Sequence, residues 1–343
     1  MGIVQFRHLR SFIFLFIFLS ILNSCHFSSK PVSPVLFAGY AMTIHYRILI
    51  GEKLEFDKRL QIEQIIEKTF EEIDQIYNKW NPKSEISQLN QLNAGQKKKI
   101  SPSLAKFFKK IDFFVSLTEG KFDPTIEPIY QLWKKALEQN SIPSCQEIKE
   151  LQPAIGWNKI LIKDGIFEKL DSRTELDFGG VAKGYCVDLI AERLEKAGFL
   201  NFFVEWGGEI SAKGEHPDKR PWKVFISQLG NCDPKQAIAY VDLDNQALAT
   251  SGDYYQFWKI ERAPQKTKFY CHIIHPLTLF PLEVKIGTVA SASLLADDCL
   301  TADALAKVLM LFDTPQKAEE WAMQIKKKHP SFRYWITVRH TLP

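Results

Sequence analysis

The chain has 343 residues, 45% of them hydrophobic and 24% charged, a globular composition that excludes wholesale disorder. Seventeen Gly and seventeen Pro exclude a collagen-like or linker-dominated architecture. The formal net charge of +4 is too small to point to nucleic acid, and part of the excess sits at the extreme N-terminus.

There, Arg7, His8 and Arg10 precede the apolar run Ser11–Leu22. A run of about 12 residues is short for a bilayer span of roughly 20 but suits the apolar region of a signal peptide. It ends in Leu22-Asn23-Ser24-Cys25, which resembles the cleavage box of a bacterial lipoprotein. On that reading, residues 1–24 are a signal peptide and Cys25 becomes a lipidated N-terminus. Residues 25–36 are then the lipidated Cys and a Ser/Pro tether, and 37–343 form one catalytic domain. The alternative is an uncleaved anchor helix with Cys25 incidental. The other five cysteines are scattered with no Cys-x-x-Cys spacing, so neither a disulfide framework nor a zinc site is expected.

A first strand is expected over 41–50. Apolar residues at Leu60, Ile62, Ile65, Ile66, Phe70, Ile73 and Ile76 predict a helix over 55–79, stopped by Trp80-Asn81-Pro82. Ser84–Asn90 reads as a short helix. Ser101–Leu117 reads as a longer one, with Ser101 as N-cap and Pro102 at the first helical position. Gly120–Thr125 is a structured turn before a helix over 126–139. Residues 160–162 and 166–170 read as a hairpin, and the loop Asp177–Gly180 opens a helix from Val181 to about Ala197. Strands are expected at 202–206, 222–227, 237–243, 247–250, 270–274, 286–291 and 332–338. The last two helices fall at 301–312 and 315–328. Helices come first and strands dominate the middle, so the expected class is α+β with mixed sheets and packed helices.

Several stretches could carry chemistry. In Asp177-Phe-Gly-Gly-Val-Ala-Lys-Gly-Tyr185 a glycine pair at a helix start would let backbone approach a phosphate, and Lys183 adds charge. Tight packing around the glycines explains it equally well. Trp206-Gly-Gly-Glu-Ile210 reads as a hairpin or bulge, and Thr250-Ser-Gly-Asp-Tyr254 as a turn with a helix N-cap. His272 and His275 lie three apart in a strand and face opposite sides, so they are not expected to share a metal. Asp303, near a helix start, is by itself no more than a cap.

Taken in order, Phe122-Asp-Pro-Thr125, the 177–185 stretch, Gly207-Gly-Glu-Ile210, Thr250-Ser-Gly-Asp-Tyr254, His272-Ile-Ile-x-Pro276 and Ala302-Asp-Ala-Leu-Ala306 closely resemble the FAD:protein FMN transferase family, the ApbE-type flavin lipoproteins. The resemblance runs from about Phe37 to Phe312. It implies an Mg²⁺-dependent enzyme that takes FAD as substrate and transfers its FMN moiety to a Ser or Thr hydroxyl of a target flavoprotein, releasing AMP. It implies a nucleotide cleft between a helix-rich part and the glycine-rich segment. In family terms Met42, Trp80, Phe122, Asp123, Gly179, Tyr185 and Ile274 match positions lining the flavin nucleotide. The Ala182 carbonyl and the Asp303 carboxylate match metal ligands. His272 matches a residue that assists proton transfer from the acceptor hydroxyl. The implied acceptor is a membrane flavoprotein, such as a quinone reductase or electron-transport subunit. The implied place is outside the cytoplasm, on the inner or outer membrane.

Three positions depart from that pattern. The family usually has Asp at His275, Gly at Leu279 and Thr at Lys307. An ammonium cannot donate an oxygen to a metal. Lys307 follows Asp303 by one helical turn, so it either pairs with that carboxylate or points away. An FAD pyrophosphatase giving FMN and AMP, or a flavin-binding lipoprotein without turnover, remain alternatives from the sequence alone.

Overall fold

The computed structural model describes residues 33–231, 233–262 and 266–342. The signal segment, Cys25 and the tether to residue 32 lie outside these. The end of the expected tether is already structured. β1 (Val35–Ala41) pairs with β2 (Ile44–Ile50) as an antiparallel hairpin. The single strand expected over 41–50 is thus the turn and second arm of a hairpin. Met42 and Thr43 turn it at φ +48° and +67°, the left-handed pair that matches the twist of flanking strands.

The helices that follow obey their apolar spacing. α1 (Phe56–Tyr77) buries Ile62, Ile66, Phe70, Ile73 and Tyr77. α2 (Glu85–Asn90) is capped by Ser84, and α3 (Pro102–Leu117) by Ser101, whose hydroxyl accepts from the Leu104 N–H at 3.2 Å. α4 (Glu127–Glu138) and a short α5 (Cys145–Leu151) come next, the latter with a Ser144–Glu147 capping box that escaped the sequence reading. β3 (Lys97–Lys99), β4 (Ile160–Lys163) and β5 (Ile166–Lys169) form a small sheet.

The main sheet has seven strands in the order β1-β2-β6-β7-β11-β15-β16. Its later members are β6 (Phe202–Trp206), β7 (Glu209–Lys213), β11 (Ala247–Gly252), β15 (Val289–Ala296) and β16 (Arg333–Val338). The α+β class is as expected, but the sheets are antiparallel, not mixed. Short turns join β1 to β2 and, through Gly207-Gly208, β6 to β7; the other neighbours are antiparallel although long connections separate them. The one parallel pairing among the described residues is the isolated bridge Ile126–Glu175.

One face of this sheet carries α1, α6 (Ala182–Lys196) and α7 (Cys299–Leu309) over the largest core. β8 (Glu215–His216), β9 (Arg220–Ile226) and β10 (Ala239–Leu243) lie on the other face, where Trp222, Ile226, Val241 and Leu243 pack on Phe203, Ile210, Leu248 and Leu295. A fourth sheet, β12 (Phe257–Arg262), β13 (Lys266–His275) and β14 (Phe280–Glu283), packs against α4. Leu279 stands there at φ +63°, a conformation glycine adopts freely and leucine does not. It is held by burial and by Trp133, whose indole N–H donates to its carbonyl at 2.8 Å. α8 (Pro315–Lys328) precedes β16 and packs beside it.

Candidate functional site

A cavity of about 1100 Å³ opens where the α1–α2 loop, the 121–126 turn, the 177–180 loop, the edge of the main sheet and β13 converge. Trp80, Phe122, Asp123, Gly179, His272 and Ile274 line it, so residues up to 194 positions apart share one wall. Met42 and Tyr185 do not. Met42 sits in the β1–β2 turn beside a separate surface hollow with Tyr40, Phe70 and Asp74. Tyr185 is buried, with its ring edge-on to Tyr77 at 5.3 Å and against Phe107 at 4.7 Å. The helical phase explains it. Lys183 faces the cavity, and two residues on the helix has turned by roughly 200°.

The 177–180 loop is fixed by a network that no local motif shows. Asp177 accepts from the Gly179 N–H at 2.7 Å through Oδ1 and from Lys79 Nζ at 2.9 Å through Oδ2. Lys79 also reaches Glu127 at 2.5 Å, at the start of α4. Burial pulls the Lys79 ammonium toward neutrality, but the two carboxylates outweigh it and hold its pKa up. Lys79 further lies 4.9 Å from the ring centres of both Trp80 and Tyr130, and Lys134 stands 5.6 Å from Trp80. Trp80 is 67% exposed, an aromatic face open to a planar ligand. Asp123 is committed to structural hydrogen bonds: it accepts from the Thr125 N–H and hydroxyl within its own turn and from the distant Trp157 N–H.

At the other pole α6 and α7 cross closely. A Cβ at Gly184 would lie 2.5 Å from the Cys299 carbonyl oxygen, so the packing reading of this glycine holds. Asp188 locks the crossing by accepting from the Cys299 and Leu300 N–H groups at 2.7 and 2.9 Å. This places Asp303 against the first turn of α6, where Ala182 lies, and its Oδ2 accepts from the Gly184 N–H at 3.2 Å. Asp303 is 2% exposed, and neither it nor Ala182 lines the cavity, whereas Lys183 and Lys307 do. Burial pushes the Asp303 carboxyl up, and the charges of Lys307 and Lys183 only partly offset that. Lys183 pairs with Glu209, whose carboxyl is also raised, by burial and by Asp303.

Lys307 neither points away nor, among the described residues, forms an ion pair with Asp303. Its stem lies over the loop, so that a Cβ at Gly180 would meet Lys307 Cε at 2.8 Å, and its charge acts on Asp303, Glu209 and His272. Among the described residues no three His, Cys, Asp or Glu side chains converge into a ready metal cage. The donor set still fits a hard cation such as Mg²⁺, which takes one or two protein oxygens and completes its shell with phosphate and water. One buried carboxylate beside a helix start offers that much and no more.

His272 presents its imidazole to the cavity, and its buried Nδ1 has no partner among the described residues. Burial, then the Lys307 and Lys183 charges, pull its pKa down to about 4. His275 instead accepts from the Leu277 N–H in a turn. The Thr250–Tyr254 stretch does not cap a helix. It ends β11, and Asp253 forms a buried ion pair with Arg339. Lys79, which lines the cavity, and Glu127, which helps to hold it against Asp177, are the residues that sequence reasoning missed. The lysine just before Trp80 and the acid at the start of α4 were visible, but nothing local links them.

Comparison with known proteins places the chain. The ApbE family matches residues 40–331. The FAD:protein FMN transferase of Chlamydia muridarum is 35% identical over 317 residues, covering 92% of this chain and 94% of that one. That of Chlamydia trachomatis serovar D is 37% identical over 311 residues, covering 90% and 92%. The apo crystal structure of the Pseudomonas stutzeri flavinyl transferase ApbE superposes with a TM-score of 0.76 at 25% identity, covering 90% of this chain and 92% of that one.

Proposed function

The chain belongs to the ApbE family and is an FAD:protein FMN transferase, and from that premise we propose that it uses Mg²⁺ to move the FMN moiety of FAD onto a Ser or Thr hydroxyl. The observation that carries the chemistry is the buried Asp303 carboxylate, which lies behind the cavity wall within the field of Lys183 and Lys307, two residues that line the cavity together with the exposed Trp80 ring. One pole suits a pyrophosphate and its cation, the other a flavin. Asp303 and the Ala182 carbonyl would hold the cation, which when bound neutralises charge developing on the pyrophosphate.

In the proposed reaction the acceptor oxygen attacks the FMN-side phosphorus, and the bond from that phosphorus to the bridging oxygen breaks. AMP leaves with the bridging oxygen, and the acceptor proton passes to His272. Lys183 and Lys307 supply positive charge beside the phosphates. Trp80, Phe122 and Ile274 would bracket the nucleotide.

Incubation with FAD, Mg²⁺ and extract proteins tests this reading. Covalent FMN on a protein band, with one AMP released per FMN bound, is expected. Free FMN plus AMP alone would assign hydrolysis, and intact bound FAD would assign mere binding.

Because the Lys307 charge acts on Asp303 without pairing with it among the described residues, it would repel a cation held at that carboxylate. Lys307→Met should tighten Mg²⁺ binding by removing that charge, and Lys307→Thr should tighten it further by adding an oxygen. A neighbouring like charge for the cation and one neutral ligand are together worth on the order of 1–2 kcal/mol, or about five- to thirtyfold in affinity. Titration calorimetry with Mg²⁺ on FAD-loaded protein reads both. Unchanged affinity in both variants would remove Lys307 from the metal pole.

We also propose that Cys25 carries a lipid, which holds the enzyme at a membrane outside the cytoplasm beside a membrane flavoprotein acceptor. Cys25→Ser should abolish metabolic labelling by an alkynyl fatty acid and release the protein from the membrane fraction. A labelled serine variant would refute the anchor.

A further inference from the structure

The cavity has a limb that the nucleotide reading leaves unexplained. It runs between β9 and the outer face of the main sheet, past Arg47, Glu205, Ile210 and Leu248, and joins the pole holding His272 and Lys307 at Thr250–Gly252. Lys223, Val224, Phe225 and Ile226, four consecutive residues of one strand, line it. Side chains of a strand alternate between two faces, so four in a row can border one space only along the strand's edge.

That edge is unpaired among the described residues. β8 pairs with β9 only at Arg220 and Pro221, and β10 pairs with Trp222–Ile226 on the other side. Among the described residues no strand covers the second edge from Trp222 to Ile226. The strand itself is anchored, since Trp222 and Ile226 are buried against Phe203, Ile210 and Leu248. A rigid strand with an open row of backbone N–H and C=O groups is a template for another extended chain.

The reaction supplies such a chain, because its second reactant is a polypeptide. At about 1100 Å³ the cavity also exceeds the roughly 300–1,000 Å³ usual for a single small-molecule site. We propose that the β9 edge receives an extended segment of the acceptor protein as an added strand, which carries its hydroxyl along the limb to His272. This rests on the transfer reading above. Backbone pairing sets the register of the segment. Its inward side chains meet Ile210 and Leu248 and are small or apolar, and its outward ones face solvent.

The protein that gains FMN in the assay above is digested, and the FMN-bearing segment is identified by mass spectrometry and synthesised. Copies are then N-methylated one residue at a time and assayed with FAD-loaded enzyme. Loss of the N–H and the added bulk should raise the peptide KM about tenfold or more at every second position, with the FAD KM unchanged. A copy with Ala in place of the modified Ser or Thr should slow amide exchange within Trp222–Ile226. Covalent FMN without this alternation, or without exchange protection of β9, would overturn the proposal. Protection of β9 by FAD alone would give the edge to the nucleotide and equally overturn it. Absence of any protein-bound FMN would instead refute the transfer reading, and this proposal with it.

Discussion

Replacing Asp303 with Asn should lower Mg²⁺-dependent FAD cleavage by about a thousandfold or more, while the protein still folds and binds FAD. The carboxylate is buried, and its one hydrogen-bond donor among the described residues is the Gly184 N–H. Asn keeps that bond and the side-chain volume, so the α6–α7 crossing has no steric cause to open. Asp303→Ala should have the same catalytic effect, with a larger drop in melting temperature from the lost contact. Removing one preorganised electrostatic partner of a reacting group costs on the order of 10²–10³, and a cation that no longer binds removes more. A linked test uses pH. The Asp303 carboxyl is raised above its unfolded value, so its contribution to stability is full below the unfolded pKa and is lost as pH rises through the folded one. Without metal, wild type should therefore lose melting temperature relative to D303N as pH rises, and Mg²⁺ should restore it. Normal turnover in D303N, or Mg²⁺ stabilisation of D303N equal to wild type, would remove Asp303 from the metal pole.

The parts of this molecule that were legible in its sequence are those written within a few residues. Ser101-Pro102 starts α3, and Trp80-Asn81-Pro82 follows the end of α1. The 160–170 hairpin and the helix after Gly180 also follow local rules. Strands lacking an apolar signal were missed: β3 is three lysines, and β12 and β14 mix charge with aromatics. β15 was placed too early because all eight of its residues are buried, leaving no alternation to mark its start. Gly287, at φ +86°, instead turns the chain inside the expected strand. For the site, resemblance named positions but not the directions of their side chains. It grouped Tyr185 with Gly179, although the helix turns Tyr185 into the core. The Lys79–Asp177 contact spans 98 residues and depends on how two loops meet, which no local pattern encodes.

The second large effect concerns His272. His272→Ala should reduce transfer to the acceptor by about 10²–10⁴, the usual worth of a positioned base, with little change in FAD affinity. The imidazole is suited to that work because its charged form is disfavoured: burial first, then Lys307 and Lys183, bring its pKa to about 4. At neutral pH it is unprotonated, with a ring nitrogen free to take the hydroxyl proton. Wild-type kcat/KM for the acceptor should therefore show no inflection between pH 6 and 7 from this group, and should fall only toward pH 4. Lys307→Met removes one of the two charges holding the imidazole neutral, so the acid limb should move up toward the ordinary histidine value of about 6.5. Stability supplies an independent readout with the opposite sign to Asp303. A histidine depressed in the folded state contributes stability that is present above its unfolded pKa and lost as pH falls toward the folded one. Wild type should thus lose melting temperature relative to H272A between about pH 6.5 and pH 4. An activity profile breaking near pH 6.5 in wild type, or full acceptor transfer by H272A, would mean that another group takes the proton. A shifted limb in K307M together with a crippled H272A would instead tie the lysine on α7 to the base on β13 through charge alone.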